Sequence, residues 1–385
     1  MSRRKYLQIP GPTNIPDRVL RSLAQPIISH RGPEFEQLVA DCIEGLKKVY
    51  RTENDILILP SSGSGALESA IVNLFSPGDT IAAASLGVFS ERVALIAERH
   101  GLNVIRITKE WGQAIKPPEI AQVLADDRGH KIKAVCLPQN ETTSGVANDL
   151  KAISQTIKET GHPALIMVDA VSSLACMPLE TDAWGIDIVV SGSQKGLMLP
   201  PGLGIVSVSP KAWTLIEQST MPKWYWDYQI IKDRLKTNQF PYTPPTSIFF
   251  GLKEALAIIE EEGLENVFAR HKQIAEAVRN SSKAMGLELF AEQGYESNSV
   301  TVICLPQNVK YEDLERLLYE KYGLVIGGGL QKLQGQIFRI GHLGLIHNTD
   351  VYAIMCAVEA ALVELGYQVE LGTAARAISE TFLPI

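Results

Sequence analysis

Lys195 sits in SGSQKGLMLPPG (191–202), where an apolar run ending in IDIVVSGSQ meets a turn rich in glycine and proline. An amine at the end of a buried strand can lower its pKa by desolvation and form an imine with an aldehyde. A lysine taken alone is a solvated surface amine. Two further stretches change that balance. PSSGSGALE (60–68) follows a strand-like run and opens a helix, so its glycines, its hydroxyls and the free N–H groups of a helix start form an anion seat. By itself it also fits a small-residue turn that packs strand on helix. Neither the Walker pattern nor the dinucleotide glycine pattern is met, which disfavours nucleotide binding. Asp169 ends the run ALIMVD, where a buried carboxylate needs a cationic or hydrogen-bonding partner unless it serves as a cap or turn residue. Anion seat, carboxylate and amine together meet three needs of pyridoxal phosphate: a phosphate site, a partner for the ring nitrogen and an imine-forming group.

The elements that must position these residues are legible between about 54 and 208. DILIL (55–59), TIAAAS (80–85), NVIRIT (103–108), KAVCLP (133–138), ALIMVD (164–169), DIVVSG (187–192) and GIVSVS (204–209) read as buried strands. Segments such as GALESAIVNLF and FSERVALIAERH, apolar at spacings of three and four, read as the helices between them. This alternation implies an α/β fold with a mostly parallel seven-stranded sheet covered on both faces, and ligands of such sheets gather at the carboxyl ends of strands. After FPYTPPTS (240–247) come two helical stretches and then weaker strands around SVTVICLP and IFRIGHL, which suit a smaller C-terminal α+β domain over 266–385. Residues 21–265 then form the large domain. LQIPGPTNIP carries too many prolines for regular structure before residue 16, so 1–20 reads as an extended arm of the kind that crosses onto a partner subunit.

The 385 residues, 45% hydrophobic and 21% charged, can bury a sizeable core. A net charge of −7 without a long run of one sign argues against nucleic acid or an acidic membrane surface as partner. The five cysteines are widely spaced with no CxxC pair, and the seven histidines show no HExxH or paired ligand spacing. No disulfide framework or metal site is expected, and a reducing, cytoplasmic setting is. The start lacks the apolar run of a signal peptide, no stretch is long enough to span a bilayer, and TFLPI is not a peroxisomal signal. The run WYWDY (224–228) lacks the basic surround of a base-stacking site and reads as a packed loop at an interface or over the site's mouth.

PGPTNIP, DAVSSLACMPLETDAWGIDIVVSGSQKGLMLPPGLGIVSVSPKA, FPYTPP, EEGLENVFARH and FRIGHLG resemble the class V aminotransferases of pyridoxal phosphate fold type I, most of all the serine–glyoxylate and alanine–glyoxylate group. The likeness runs from about residue 7 to beyond 370. It implies that Lys195 is the covalent attachment point, with Gln194 beside the cofactor's hydroxyl or phosphate and Asp169 on the ring nitrogen. Ser62, Gly63 and Ser64 match the phosphate loop. Thr142 matches a hydroxyl contact to the O3′ side, and Phe89 the aromatic stacked on the ring. Tyr242 and Thr243 match residues that reach the phosphate from the other subunit of a homodimer. Arg339 matches the arginine that pairs bidentately with the substrate α-carboxylate. His30 and Arg31 match substrate-pocket positions that also come from the neighbouring chain.

The resulting expectation is a dimeric pyridoxal-phosphate aminotransferase that passes the amino group of a small L-amino acid to glyoxylate. Serine is the first donor expected, ahead of alanine and aspartate. The alternatives are a class V lyase of the desulfurase or kynureninase type, of which a desulfurase needs a cysteine nucleophile on a mobile loop near Arg339, and a non-catalytic binding protein on the same fold.

Overall fold

The computed structural model describes residues 5–383. A short strand, β1 (Tyr6–Gln8), precedes α1 (Asp17–Leu23) and α2 (Pro33–Tyr50). Strands and helices then alternate. They are β2 (Asp55–Ser61), α3 (Gly63–Leu74), β3 (Thr80–Ser85), α4 (Val88–Arg99), β4 (Asn103–Thr108), α5 (Pro117–Asp126) and β5 (Ile132–Pro138). The two-residue pair β6 (Asn140–Glu141) and β7 (Val146–Ala147) leads to α6 (Leu150–Thr160), β8 (Leu165–Asp169), β9 (Ile188–Gly192) and β10 (Gly202–Val208).

Seven strands form one sheet in the order β2-β10-β9-β8-β5-β3-β4. Only β10 runs against its neighbours. Alternate residues feed the two faces: Ile56 and Ile58 enter one core, Leu57 and Leu59 the other. Because both faces are covered, these strands read in sequence as continuous apolar runs. NVIRIT departs from the expectation of a buried strand. As β4 it is the sheet edge, with Asn103, Ile105, Arg106 and Thr108 exposed and Ile107 alone buried.

The chain continues through α7 (Pro210–Ile216), α8 (Tyr228–Leu235) and α9 (Thr246–Glu262). Gly263, at φ +82°, adopts a backbone that L side chains rarely take, and there the chain turns from α9 into α10 (Leu264–Ala284). Next come β11 (Val300–Cys304), α11 (Tyr311–Leu317), β12 (Leu324–Gly328), β13 (Ile337–Gly341), α12 (Asn348–Glu364) and α13 (Thr373–Phe382). A second sheet has the order β1-β12-β13-β11, and α10 packs beside it against α12, α13 and β11.

The arm corrects the expectation of no regular structure before residue 16. Tyr6, Leu7 and Gln8 pair in parallel with Leu324, Val325 and Ile326 of the same chain. The prolines begin only at residue 10, so none interrupts this strand, and Tyr6 N–H donates to Gly323 O at 2.8 Å. Asn14 clasps the segment from behind: Leu7 N–H donates to its Oδ1 at 3.1 Å, and its Nδ2 donates to Leu7 O at 2.8 Å. The first four arm residues and the last two residues of TFLPI lie outside the described ones. Among the described residues no helix is long and apolar enough to cross a membrane.

Candidate active site

Strand register brings the chemistry together. Asp169, the last residue of β8, is opposite Val190 of β9, and β9 ends two residues later at Gly192. The loop that follows is closed on itself: Ser193 Oγ donates to Pro200 O at 2.7 Å and accepts from Leu203 N–H at 3.1 Å. Lys195 is therefore fixed at the tip of a short ring of chain. Gly196 is required by close approach, since a Cβ there would lie 2.1 Å from Leu174 O. Across the loop Met198 holds φ +56°, an uncommon conformation for a side chain of its size.

The Lys195 amine donates to Pro10 O, so the arm lies directly on it. Gly11, at φ +103°, passes so close that a Cβ would come within 2.7 Å of Lys195 Nζ. Burial pushes the Lys195 pKa down to about 8, against the pull of Asp169 and with the help of Arg339 and Arg92. Burial pushes Asp169 up to about 6, while the Val171 N–H, at 2.9 Å, and the cations Arg92 and Lys195 oppose it. At pH 7 a pKa near 8 leaves about a tenth of the amine neutral, against about 0.03% for an ordinary lysine. This amine is ready to act as a nucleophile, and this carboxylate is short of a cationic partner.

The two side chains line a cavity of about 120 Å³ with Gly63, Ser64, Leu67, Phe89, Arg92, Asn140, Thr142, Val171, Ser172 and Gln194. Seven residues singled out from the sequence thus meet in one place: Gly63, Ser64, Phe89, Thr142, Asp169, Gln194 and Lys195. Ser62 borders it as the residue capping α3, and its side chain makes no cap hydrogen bond, which leaves that helix start open to an anion. Arg339 approaches from β13. It is only 7% exposed, its Nε donates to Gly328 O at 2.8 Å, and its Nη1 donates to Thr142 O at 3.2 Å. Among the described residues it has no carboxylate partner.

Four expected residues lie elsewhere. Tyr242 stacks on Tyr225 with centroids 4.4 Å apart, its hydroxyl buried without a partner, and Thr243 beside it is exposed. His30 and Arg31 lie between α1 and α2, and Arg31 Nη1 donates to Phe240 O at 3.4 Å. None of the four lines the cavity of its own chain. The run WYWDY packs on α3: Asn73 Nδ2 donates to Trp226 O at 2.7 Å, and Tyr228 OH meets Ser69 Oγ at 2.7 Å.

Two charged residues were invisible as site residues in the sequence. Glu141, fully buried, accepts from Ser90 N–H at 2.8 Å and Thr143 N–H at 2.9 Å, tying the start of α4 to the Thr142 turn. A Cβ on Gly87 would lie 2.3 Å from its carboxyl carbon, so the glycine gives that carboxylate its room. Arg92, three residues after Phe89 and on the same helix face, lines the cavity. Its spacing from Phe89 in FSER is the one signal that could have found it. Among the described residues no group of three or more His, Cys, Asp or Glu is placed to hold a metal ion. His342 is buried and neutral: burial pushes it down to about 3, its Nδ1 donates to Asn298 O, and its Nε2 meets Thr301 Oγ1 at 2.9 Å.

Residues 5–343 match the family model Aminotransferase class-V. The chain belongs to the class V aminotransferases. It is 42% identical, over 95% of both chains, to a Synechococcus sp. protein named soluble hydrogenase, small subunit. It is 40% identical to the serine–glyoxylate aminotransferase of Methylorubrum extorquens, over 98% of this chain and 95% of the other. Among solved structures, the ureidoglycine–glyoxylate aminotransferase of Bacillus subtilis matches 99% of both chains with a TM-score of 0.93 and 26% identity. This aminotransferase has fold type I, and its cofactor is pyridoxal phosphate. The cavity suits that cofactor. Besides Lys195 and Asp169, two buried acceptors on its wall, Gln194 Oε1 and Asn140 Oδ1, have no hydrogen-bond partner in the protein.

Proposed function

We propose that this aminotransferase takes the amino group of a small L-amino acid, serine first and alanine or aspartate after it, and passes it to glyoxylate, giving glycine and the matching 2-oxo acid. The observation that carries this reading is Arg339. A guanidinium this buried, held by two carbonyls, in no ion pair and with Glu141 acting on it only at longer range, calls for an anion. Amino donor and glyoxylate both carry the carboxylate that fits its planar fork. The name of the Methylorubrum relative supports glyoxylate as acceptor and serine as donor.

Ser62, Gly63 and Ser64 would hold the cofactor's phosphate at the start of α3, Phe89 would stack on its ring, and Thr142 and Gln194 would offer hydrogen bonds to its hydroxyl. When bound, the cofactor supplies the electron sink that makes the donor's Cα–H acidic. Asp169, ionised, would pair with the cofactor's ring nitrogen and favour its protonated form, and that positive charge would offset the penalty that burial places on the carboxylate. Arg339 fixes the donor carboxylate and with it the direction of the Cα–H bond. Lys195 Nζ would take the Cα proton as general base. In the second half-reaction Arg339 binds the glyoxylate carboxylate, and Lys195 Nζ delivers a proton to the carbon that becomes Cα of glycine.

His30, Arg31, Tyr242 and Thr243 are proposed to complete the site of a second copy of the chain. The support is their placement: they are absent from their own cavity, and the Arg31–Phe240 hydrogen bond gathers them on one surface. Five unpaired cysteines support a reducing, cytoplasmic setting. Nothing favours the lyase alternative. Burial raises the pKa of every thiol, Cys304 and Cys356 included, so none is poised as a thiolate.

The test is a donor panel with glyoxylate as fixed acceptor, scored by single-turnover change in the cofactor's visible absorbance and by glycine formed. Serine is expected to react fastest, with alanine and aspartate measurable. Failure of all three beside reaction of a larger amino acid overturns the substrate class.

A further inference from the structure

The phosphate seat raises a question of charge. A phosphate monoester carries about −1.5 to −2 at pH 7, and a helix start offers only about half a positive charge. Among the described residues the cavity wall holds two cationic side chains, Lys195 and Arg92. Lys195 is engaged in covalent attachment, so its charge is not free to balance the phosphate.

Arg92 is held as a binding group would be. Its Nη1 donates to Ser64 Oγ at 2.6 Å, and its guanidinium carbon lies 4.9 Å from the centroid of Phe89. Other arginines of the protein spend their charge on carboxylates: Arg18 on Glu261, Arg51 on Glu180, Arg106 on Glu98 and Arg270 on Glu262. Among the described residues Arg92 has no such partner. Asp169, the cavity carboxylate that feels the Arg92 charge, makes no ion pair with it, and the buried Glu141 is committed to the N–H groups of Ser90 and Thr143. The start of α4 is therefore already answered by an anion from within the chain, whereas the start of α3, where Ser62 makes no side-chain cap, is not.

We propose that Arg92 is a phosphate-binding residue: its guanidinium, steered by Ser64 and lying against Phe89, pairs with the cofactor phosphate seated at the start of α3. Ser64 relays the contact. Its oxygen accepts from Arg92, which leaves its own O–H to donate to a phosphate oxygen. Arg92 also ties the phosphate end of the site to the ring face, because the residue that carries the charge supports the aromatic that stacks on the ring. This inference rests on pyridoxal phosphate as cofactor and adds a residue to its site.

The experiment titrates the cofactor-free protein with pyridoxal phosphate and with pyridoxal, which forms the same bond to Lys195 but has no phosphate. Affinity is read by visible absorbance and tryptophan fluorescence. The wild type is expected to prefer pyridoxal phosphate. Arg92→Gln should lose about ten- to a hundredfold in affinity for pyridoxal phosphate, the usual range for a charge-assisted contact, and less than about twofold for pyridoxal. Inorganic phosphate should compete with the cofactor in the wild type and more weakly in the variant. Equal losses for both ligands, or no loss for pyridoxal phosphate, overturn the proposal. If Arg92→Gln does not fold, Arg92→Lys decides. A partial loss confined to pyridoxal phosphate supports the contact, and a parallel loss for both ligands refutes it. A wild type that does not discriminate between the two ligands refutes the phosphate seat itself, an outcome distinct from a discriminating wild type with an equally discriminating variant.

Discussion

Asp169 and Lys195 line the cavity from neighbouring strands of one sheet, whereas Arg339 stands behind the cavity wall on a second sheet and touches it through the carbonyl of Thr142, 197 positions away in sequence. The two sides also differ in how they carry charge. On the first, burial drives an amine down to about 8 and a carboxylate up to about 6, so both groups change protonation near neutral pH. On the second, burial lowers the Arg339 pKa but a guanidinium stays protonated, and it waits for an anion. In the proposed reaction one side would move protons and the other would hold a carboxylate still. A transaminase needs both, because a proton transfer is selective only if the donor carbon cannot turn.

The largest effect that would sharpen this contrast is in pH. Only the neutral amine attaches the cofactor, so the attachment rate to the cofactor-free protein should rise about fiftyfold from pH 6 to pH 8 and level off above that. Stopped-flow absorbance checks this, with a simple amine run in parallel to correct for the cofactor's own ionisation. A rate that keeps rising tenfold per unit to pH 10 would mean an ordinary lysine and would erase the difference between the two sides. Next in size is Arg339→Lys, which exchanges a planar fork for a point charge. Steady-state kinetics should show kcat/KM for serine falling about ten- to thirtyfold, chiefly through KM, with cofactor affinity within about twofold of wild type. A parallel loss of cofactor affinity would show that the sides are one unit.

The smallest effect concerns stability on the second side. His271 and His342 are both buried, and burial pushes each down to about 3 from an ordinary 6.5. Between those values the unfolded chain binds more protons than the folded one, so stability is lost as pH falls below about 6.5 and is unaffected above it. Each histidine steepens that loss by up to about 1.4 kcal/mol per pH unit. His342→Gln should flatten the pH dependence by about one proton, measured by urea unfolding at pH 5 and pH 7. An unchanged slope would remove His342 from the account of acid sensitivity.

The same contrast explains what could be read from the sequence. The seven strands of the large sheet were legible because burial on both faces writes continuous apolar runs, and Asp169 and Lys195 were legible because they end two such runs. β4 was misjudged as buried: its apolar residues are those of a strand, but its edge position is set by sheet order, which no local pattern states. Glu141 and Arg92 are charged residues whose importance comes from what packs around them. Ser90 and Glu141 meet across 51 positions, and Ser64 and Arg92 across 28. The arm's strand was missed because three residues carry no period, and only pairing with β12 makes them a strand. Arg339 was found through a motif likeness rather than through any physical signal, since an arginine in a short strand says nothing of the carbonyls that will hold it.

The register of Tyr6 with Leu324 has a consequence in time. During synthesis the first strand must wait for a partner more than three hundred residues downstream, roughly 15 to 60 s at ordinary translation rates. Until then Pro10 and Gly11 lack the anchor that β1 gains from β12, and the arm's hold on the Lys195 loop rests on Thr13, whose N–H donates to Gln194 O and whose Oγ1 donates to Lys195 O, each at 3.3 Å. The large sheet, with Asp169, Lys195 and the phosphate loop, leaves the ribosome well before β12 and β13. The residues that line the cavity are thus all made while the arm's cover lacks its β12 anchor, and the nascent chain is expected to pass through an interval in which Lys195 is less firmly covered than in the finished fold.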